Sequence, residues 1–181
     1  MTGQLKNHFQ RRAAEILRFV LDVMSKGGLK VNQEGSKLEP GTGLRTIQKV
    51  RLMHAAVRYF AQSSDQWPED GSWGVPINQE ELMGTMLAFS TIAVDGLTQL
   101  GIKPQDQEVE NYYHTWKLIA HYLGIKPEFV PNNVKNSGLM WLRLDERNFG
   151  TTPSGIQLTD SHVAFLEKLI PGRIVDNIVP T

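Results

Sequence analysis

The run RLMHAAVR places Arg51, His54 and Arg58 three and four residues apart. That spacing sets all three on one face of a helix. His54 also falls on the apolar stripe Ile47, Val50, His54, Val57 and Ala61, so the helix carries an imidazole inward with a guanidinium about one turn to either side. Burial and two neighbouring cations both disfavour a charged imidazole. The neutral ring is the form that ligates a metal. Buried guanidinium groups require anions, and two haem propionates would answer them while the iron takes the ring nitrogen. A plainer arrangement stands beside this one, and the spacing by itself favours it, because RxxHxxxR is not specific. In it His54 is a core histidine bonded to a carbonyl, and the arginines pair with Glu or Asp of a neighbouring helix.

Other candidates carry less. His114 and His121 share a face of a later helix but lie roughly 10 Å apart along its axis, too far for one metal ion, so each is expected to make a structural hydrogen bond. His8 and His162 are assigned no role. The aromatic run YYHTWKLIAHYLG is expected to be core with an amphipathic rim. Gly84, Thr85, Ala88, Ser90 and Ala93 would admit either a flat cofactor or a close helix neighbour. GTGLR at Gly41 lacks the lysine ending and preceding strand of a phosphate loop. No paired carboxylates, nucleophile elbow or triad is recognisable. With no cysteine in the chain, disulfides, iron–sulfur clusters, covalent haem attachment and thiolate ligation are excluded.

Six helical stretches are expected to position these residues. The first runs from about Asn7 to Ser25 with the stripe Phe9, Ala13, Ile16, Val20 and Val23, and stops at Gly27-Gly28. Leu29–Thr42 is expected to be loop. The second helix spans about Leu44–Ala61, followed by the loop SSDQWPEDGSWGVP, expected to fold over the core through Trp67 and Trp73. The third starts at Asn78 with Glu81 as reciprocal cap and Ile77/Leu82 as hydrophobic staple, and ends at Gly101. The fourth runs from about Gln105 to Leu123, with acids early and Gly124 after it. A short helix lies near Leu139–Arg147, and a last one opens at Thr152-Pro153 and ends before Pro171-Gly172. No segment sustains period-two alternation, so the fold class is all-α.

The bulk numbers fit one globular domain of 181 residues, with 40% hydrophobic and 21% charged residues allowing a packed core. Nineteen basic and nineteen acidic residues cancel, which argues against a nucleic-acid footprint or docking on anionic lipid. The most apolar stretch, from Leu82, is interrupted by Gly84, Thr85, Ser90, Thr91 and Asp95 and is too polar for a membrane span. The N-terminus has no apolar signal core, so the expected location is cytoplasmic. The apolar ending Ile178-Val179-Pro180-Thr181 and the near-immediate first helix suggest a domain incomplete at both ends.

Taken together, RRAAEILRFVLDVM, KVRLMHAAVR, WGVPINQEELMGTMLAFS, YYHTWKLIAHYLGI and RNFGTTPSGIQLT resemble the latex clearing protein family. These are the rubber oxygenases and their wider kin, including the fungal oxygenase of mycophenolic acid biosynthesis. The resemblance runs from about Gln10 to the C-terminus and is most specific in HAAVR and GVPINQEEL. It implies an all-α domain over residues 1–181, of about five to six helices with globin-like packing around a non-covalent haem b. His54 matches the proximal iron ligand, Arg51 and Arg58 match the arginines flanking it, and His114 and His121 correspond to the histidines of its YYHTW…H run and are taken as structural. It further implies O2-dependent cleavage or oxidation of carbon–carbon double bonds in an apolar, isoprenoid-like substrate.

Two departures qualify the resemblance. Rubber-cleaving members carry a lysine followed by threonine on the helix before HAAVR, whereas Asn7–Ser25 here contains no lysine. That counts against a distal lysine and against rubber itself as substrate. The family domain is also longer at both ends. The alternatives are a non-catalytic binder of haem or a small apolar ligand, and a helical interaction module without cofactor.

Overall fold

The computed structural model describes residues 9–34 and 36–169. It is mostly helical: α1 (Phe9–Met24), a hairpin of β1 (Val31–Glu34) and β2 (Lys37–Pro40), α2 (Thr42–Gln62), α3 (Gln79–Leu87), α4 (Ala93–Gln99), α5 (Asp106–Leu123), α6 (Val134–Asn148) and α7 (Pro153–Leu169). A π-helical turn, Ala88–Ile92, joins α3 to α4 without a break. His8, the start of the first helix, Gly35 and everything expected from Pro171 onward lie outside the described residues. The chain divides into two compact units, residues 22–148 and the described parts of its two flanks.

In the flanking unit, Glu15 of α1 binds Arg11 at 2.9 Å and Arg12 at 3.4 Å, pairs one helical turn apart that are fully solvated. Ile16 of the expected apolar stripe is 43% exposed, while Val23, at the end that enters the larger unit, is 2% exposed. α7 opens as its Thr-Pro pair predicts: Thr152 Oγ1 accepts from the Gly155 N–H at 3.0 Å, and Pro153 holds the first helical position, where no N–H is needed.

In residues 22–148, α5 is the central element. Tyr113, Trp116, Ile119 and Ala120 are buried on one of its faces, against Ile47 and Leu44 of α2 and Met83, Met86 and Leu87 of α3. Each boundary has a local cause. Asn78 Oδ1 accepts from the Glu81 N–H at 3.0 Å while Glu81 Oε2 accepts from the Asn78 N–H at 3.1 Å, the reciprocal cap expected for α3. The Gln105 N–H donates to Glu108 Oε2 at 2.8 Å at the start of α5. α1 and α2 meet at Gly43, where a β-carbon would sit 2.8 Å from Val23 Cα, so only glycine permits the crossing. Thr46 Oγ1 donating to Asp22 Oδ2 at 2.8 Å fixes it.

Three sequence expectations are corrected. The stretch 29–42 holds an antiparallel hairpin, with Val31 opposite Pro40 and Glu34 opposite Lys37. Its strands are four residues long with Val31 and Leu38 exposed, so neither length nor burial stamps an alternating pattern on them. Trp67 and Trp73 do not cover a core: they meet edge to face at 5.3 Å, Trp67 Nε1 donates to Gly74 O at 3.2 Å, and Trp73 is 63% exposed. The loop is thereby closed on itself. α6 begins at Val134, five residues before the expected start, because Asn133 Oδ1 caps the Asn136 N–H at 2.9 Å.

The small residues of the third helix serve helix packing. A β-carbon on Gly84 would lie 3.6 Å from Leu144 of α6. Thr91 shares a 2.7 Å hydrogen bond with Ser137, both buried. In the π turn the Phe89 carbonyl accepts from the Tyr112 hydroxyl at 2.8 Å, and Phe89 stacks on Trp116 at 5.3 Å.

Tyr113 is 2% exposed and donates to Pro131 O at 2.8 Å. Burial pushes its phenol up to about 12, above its value in an unfolded chain, near 10. Between those values the unfolded chain loses a proton that the folded chain keeps, so stability falls as pH rises through this window. Urea midpoints measured from pH 9 to 12 are expected to drop by the equivalent of about 2 kcal/mol, and Tyr113→Phe is expected to flatten that alkaline slope.

Candidate functional site

Beyond Ile47, α2 leaves the core and becomes the wall of a cavity of about 440 Å3. Arg51, His54, Ala55 and Arg58 line one side. Val75, Ile77, Asn78, Gln79 and Leu82, at the entry to α3, line another, and Leu123 and Gly124, at the end of α5, complete it. The volume suits a drug-sized or cofactor-sized ligand. The predicted face of α2 is thus gathered in one wall: His54 and Arg58 half-buried, Arg51 at the rim.

Neither arginine pairs with a carboxylate among the described residues. Arg51 Nη1 donates to Tyr122 O at 3.1 Å. Arg58 donates twice, Nε to Pro76 O at 3.2 Å and Nη2 to Ile77 O at 3.0 Å. Pairing with Glu or Asp of a neighbouring helix, the plainer of the two sequence expectations, is therefore not what the fold provides. No acidic residue lines the cavity, so its wall carries two guanidinium groups and no countercharge.

Two residues assigned no part in the site from the sequence complete the wall. Gln79 bridges two elements: Nε2 donates to Gly124 O at 3.2 Å, and Oε1 accepts from the Lys126 N–H at 2.8 Å. Gly124 ends α5 at φ 90°, a conformation that costs any other residue about 1 kcal/mol or more. A β-carbon there would sit 3.3 Å from the Arg51 guanidinium. A glycine after a helix is a common stop signal; that it also makes room for an arginine is visible only in the fold.

The other histidines stand apart. His114 and His121 are exposed and make no hydrogen bond among the described residues, so the structural bonds expected of them are absent; His121 meets the Tyr122 ring edge-on at 5.6 Å. His162 Nδ1 lies 2.9 Å from Leu158 O on α7. No cluster of three or more His, Cys, Asp or Glu exists among the described residues. Protein side chains there do not form a cage for a bare metal ion. A lone imidazole does suit a metal that brings its other ligands with it, as a porphyrin-held iron does. The unopposed guanidinium pair suits the carboxylates of such a macrocycle.

The family model described as ER-bound oxygenase mpaB/B'/rubber oxygenase, catalytic domain, matches residues 1–175, and the chain belongs to that family. The rubber oxygenase of Streptomyces sp. (strain K30) is 27% identical over 146 residues, which is 80% of this chain and 36% of that protein. The chain thus spans about a third of the length of the curated relative it matches. No solved structure matches it. Among the described residues no helix is long and apolar enough to cross a membrane.

Gln79→Leu removes both bridging bonds and leaves the Gly124 carbonyl without its donor. A loss of about 1–2 kcal/mol is expected in urea unfolding, with Gln79→Glu, which keeps the acceptor for Lys126, falling between it and the parent.

Proposed function

We propose that His54 is the proximal ligand of a non-covalent haem b, with Arg51 and Arg58 pairing with its propionates. The protein would then act as an O2-dependent oxygenase on carbon–carbon double bonds of an apolar, isoprenoid-like substrate. The observation that carries this reading is the cavity wall itself: one imidazole between two guanidinium groups, with no acid lining the space. Membership of an oxygenase family supports it.

The residues divide the work. His54 would hold the iron from the α2 side. Arg51 and Arg58, about 10 Å apart along the helix axis, would anchor two carboxylates and set the rotation of the macrocycle in its plane. Val75, Ile77, Leu82 and Leu123, which line the same cavity, would supply apolar contact to the macrocycle. When bound, haem supplies the binding and activation of O2. No distal acid or base is assigned.

A second reading, a haem or apolar-ligand binder without catalysis, is favoured by one observation: the segment from Asn7 to Ser25 contains no lysine, where rubber-cleaving relatives carry one.

Protein expressed with haem supplied is expected to show a Soret band that His54→Ala abolishes while its far-UV circular dichroism is retained. Arg51→Ala and Arg58→Ala are each expected to weaken haem binding about tenfold, the usual scale of one charge-assisted hydrogen bond. A folded parent protein without any Soret band would sink the proposal. Incubation with short isoprenoids and O2 separates the two readings: new aldehyde or ketone ends mark the oxygenase, and their absence from haem-loaded protein leaves the binder.

A further inference from the structure

Ile77 adopts a φ of 53°, the left-handed region that β-branched side chains avoid. It is the one non-glycine residue with positive φ among the described residues. Its position explains how the strain is held. Pro76, buried and rigid, precedes it, and Asn78, locked in the α3 cap, follows it. The carbonyls of Pro76 and Ile77 are the two that Arg58 grips, at 3.2 and 3.0 Å. Arg58 and Ile77 both line the His54 cavity. The strained peptide is therefore tied down by a guanidinium facing the space a ligand would fill.

That tie is made of the weaker of two kinds of bond. A guanidinium prefers a carboxylate, which offers two charged oxygens in matching geometry, to neutral carbonyls. No carboxylate in the cavity wall competes for Arg58. A ligand carboxylate would compete, and on exchange the Ile77 peptide could return to an ordinary φ. Strain released in that step adds to the free energy of binding.

We propose that Arg58 and the Ile77 peptide form a carboxylate-operated latch, closed on the strained turn when no anion is bound and opened when a ligand carboxylate takes the guanidinium. The latch rests on the reading of the cavity as the seat of a dicarboxylate macrocycle. It goes further in making the loop before α3 the part that responds to the carboxylate.

Ile77→Gly and Ile77→Ala test it. Both remove the side chain, but only glycine accepts positive φ without strain. The closed form is thus relieved in Ile77→Gly and remains strained in Ile77→Ala. The full chain is titrated with protoporphyrin IX, a metal-free dicarboxylate, and with its dimethyl ester, followed by porphyrin fluorescence; melting is followed by circular dichroism. Without ligand, Ile77→Gly is expected to melt above Ile77→Ala. It is expected to bind protoporphyrin about tenfold more weakly than Ile77→Ala, a gap of about 1.4 kcal/mol, and the ester is expected to show no gap. Equal protoporphyrin affinities, equal melting, or the same gap with the ester would overturn the latch. Any of these with a His54-dependent Soret band intact leaves the haem reading standing. Failure of the parent protein to take up either haem or protoporphyrin overturns both.

Discussion

Positive charge without a countercharge governs the larger unit. Arg51, exposed at the rim, and Arg58, half-buried, project from one face of α2, and the buried part of a guanidinium must find acceptors somewhere. In this chain they come from the backbone, the carbonyls of Tyr122, Pro76 and Ile77. The local conformations around the cavity follow from that requirement. α5 ends in a left-handed glycine, and so close a turn can accommodate the Arg51 guanidinium. The turn into α3 presents two successive carbonyls to Arg58. Gln79 then ties the two turns together through Gly124 and Lys126. The wall is a set of loop ends held by side chains of one helix.

Such a wall is the kind that the haem proposed above would require of a member of this oxygenase family. Side chains that had to cage an ion would need several donors converging on one point. A wall that receives a flat dicarboxylate needs only a single ring nitrogen and two well-separated cations. The described part of this chain has the second set and not the first.

Much of the fold was legible in the sequence where a signal is local. Asn78 with Glu81, Gly124 after Leu123, and Thr152 before Pro153 each announce a helix end through a bond spanning three or four residues, and each does so in the structure. The grouping of Arg51, His54 and Arg58 was legible for the same reason, since helical periodicity alone places them together. What those arginines bind was not. Their acceptors are backbone carbonyls from turns 18 to 71 residues away, and a carbonyl has no residue type to betray it. The role of Gln79 was hidden likewise. The hairpin escaped because four-residue strands with solvated apolar side chains leave no period. The tryptophan loop was misjudged because two large rings can satisfy one another as well as they can cover a core.

The π turn at Ala88–Ile92 has an effect on how the third helix is built. A π turn amounts to one additional residue in an otherwise regular coil, so the faces before and after it are rotated relative to one another by roughly 100°. Leu82, Met83, Met86 and Leu87, before the turn, are buried, whereas no residue of α4 after it is. The offset is tolerated because Tyr112 supplies a hydroxyl to the Phe89 carbonyl and Thr91 finds Ser137 across the gap. α3 and the π turn both pack against α5 and α6, and the burial of this continuous rod ends where α4 begins, so substitutions before Ala93 meet the core and those after it meet solvent or its edge.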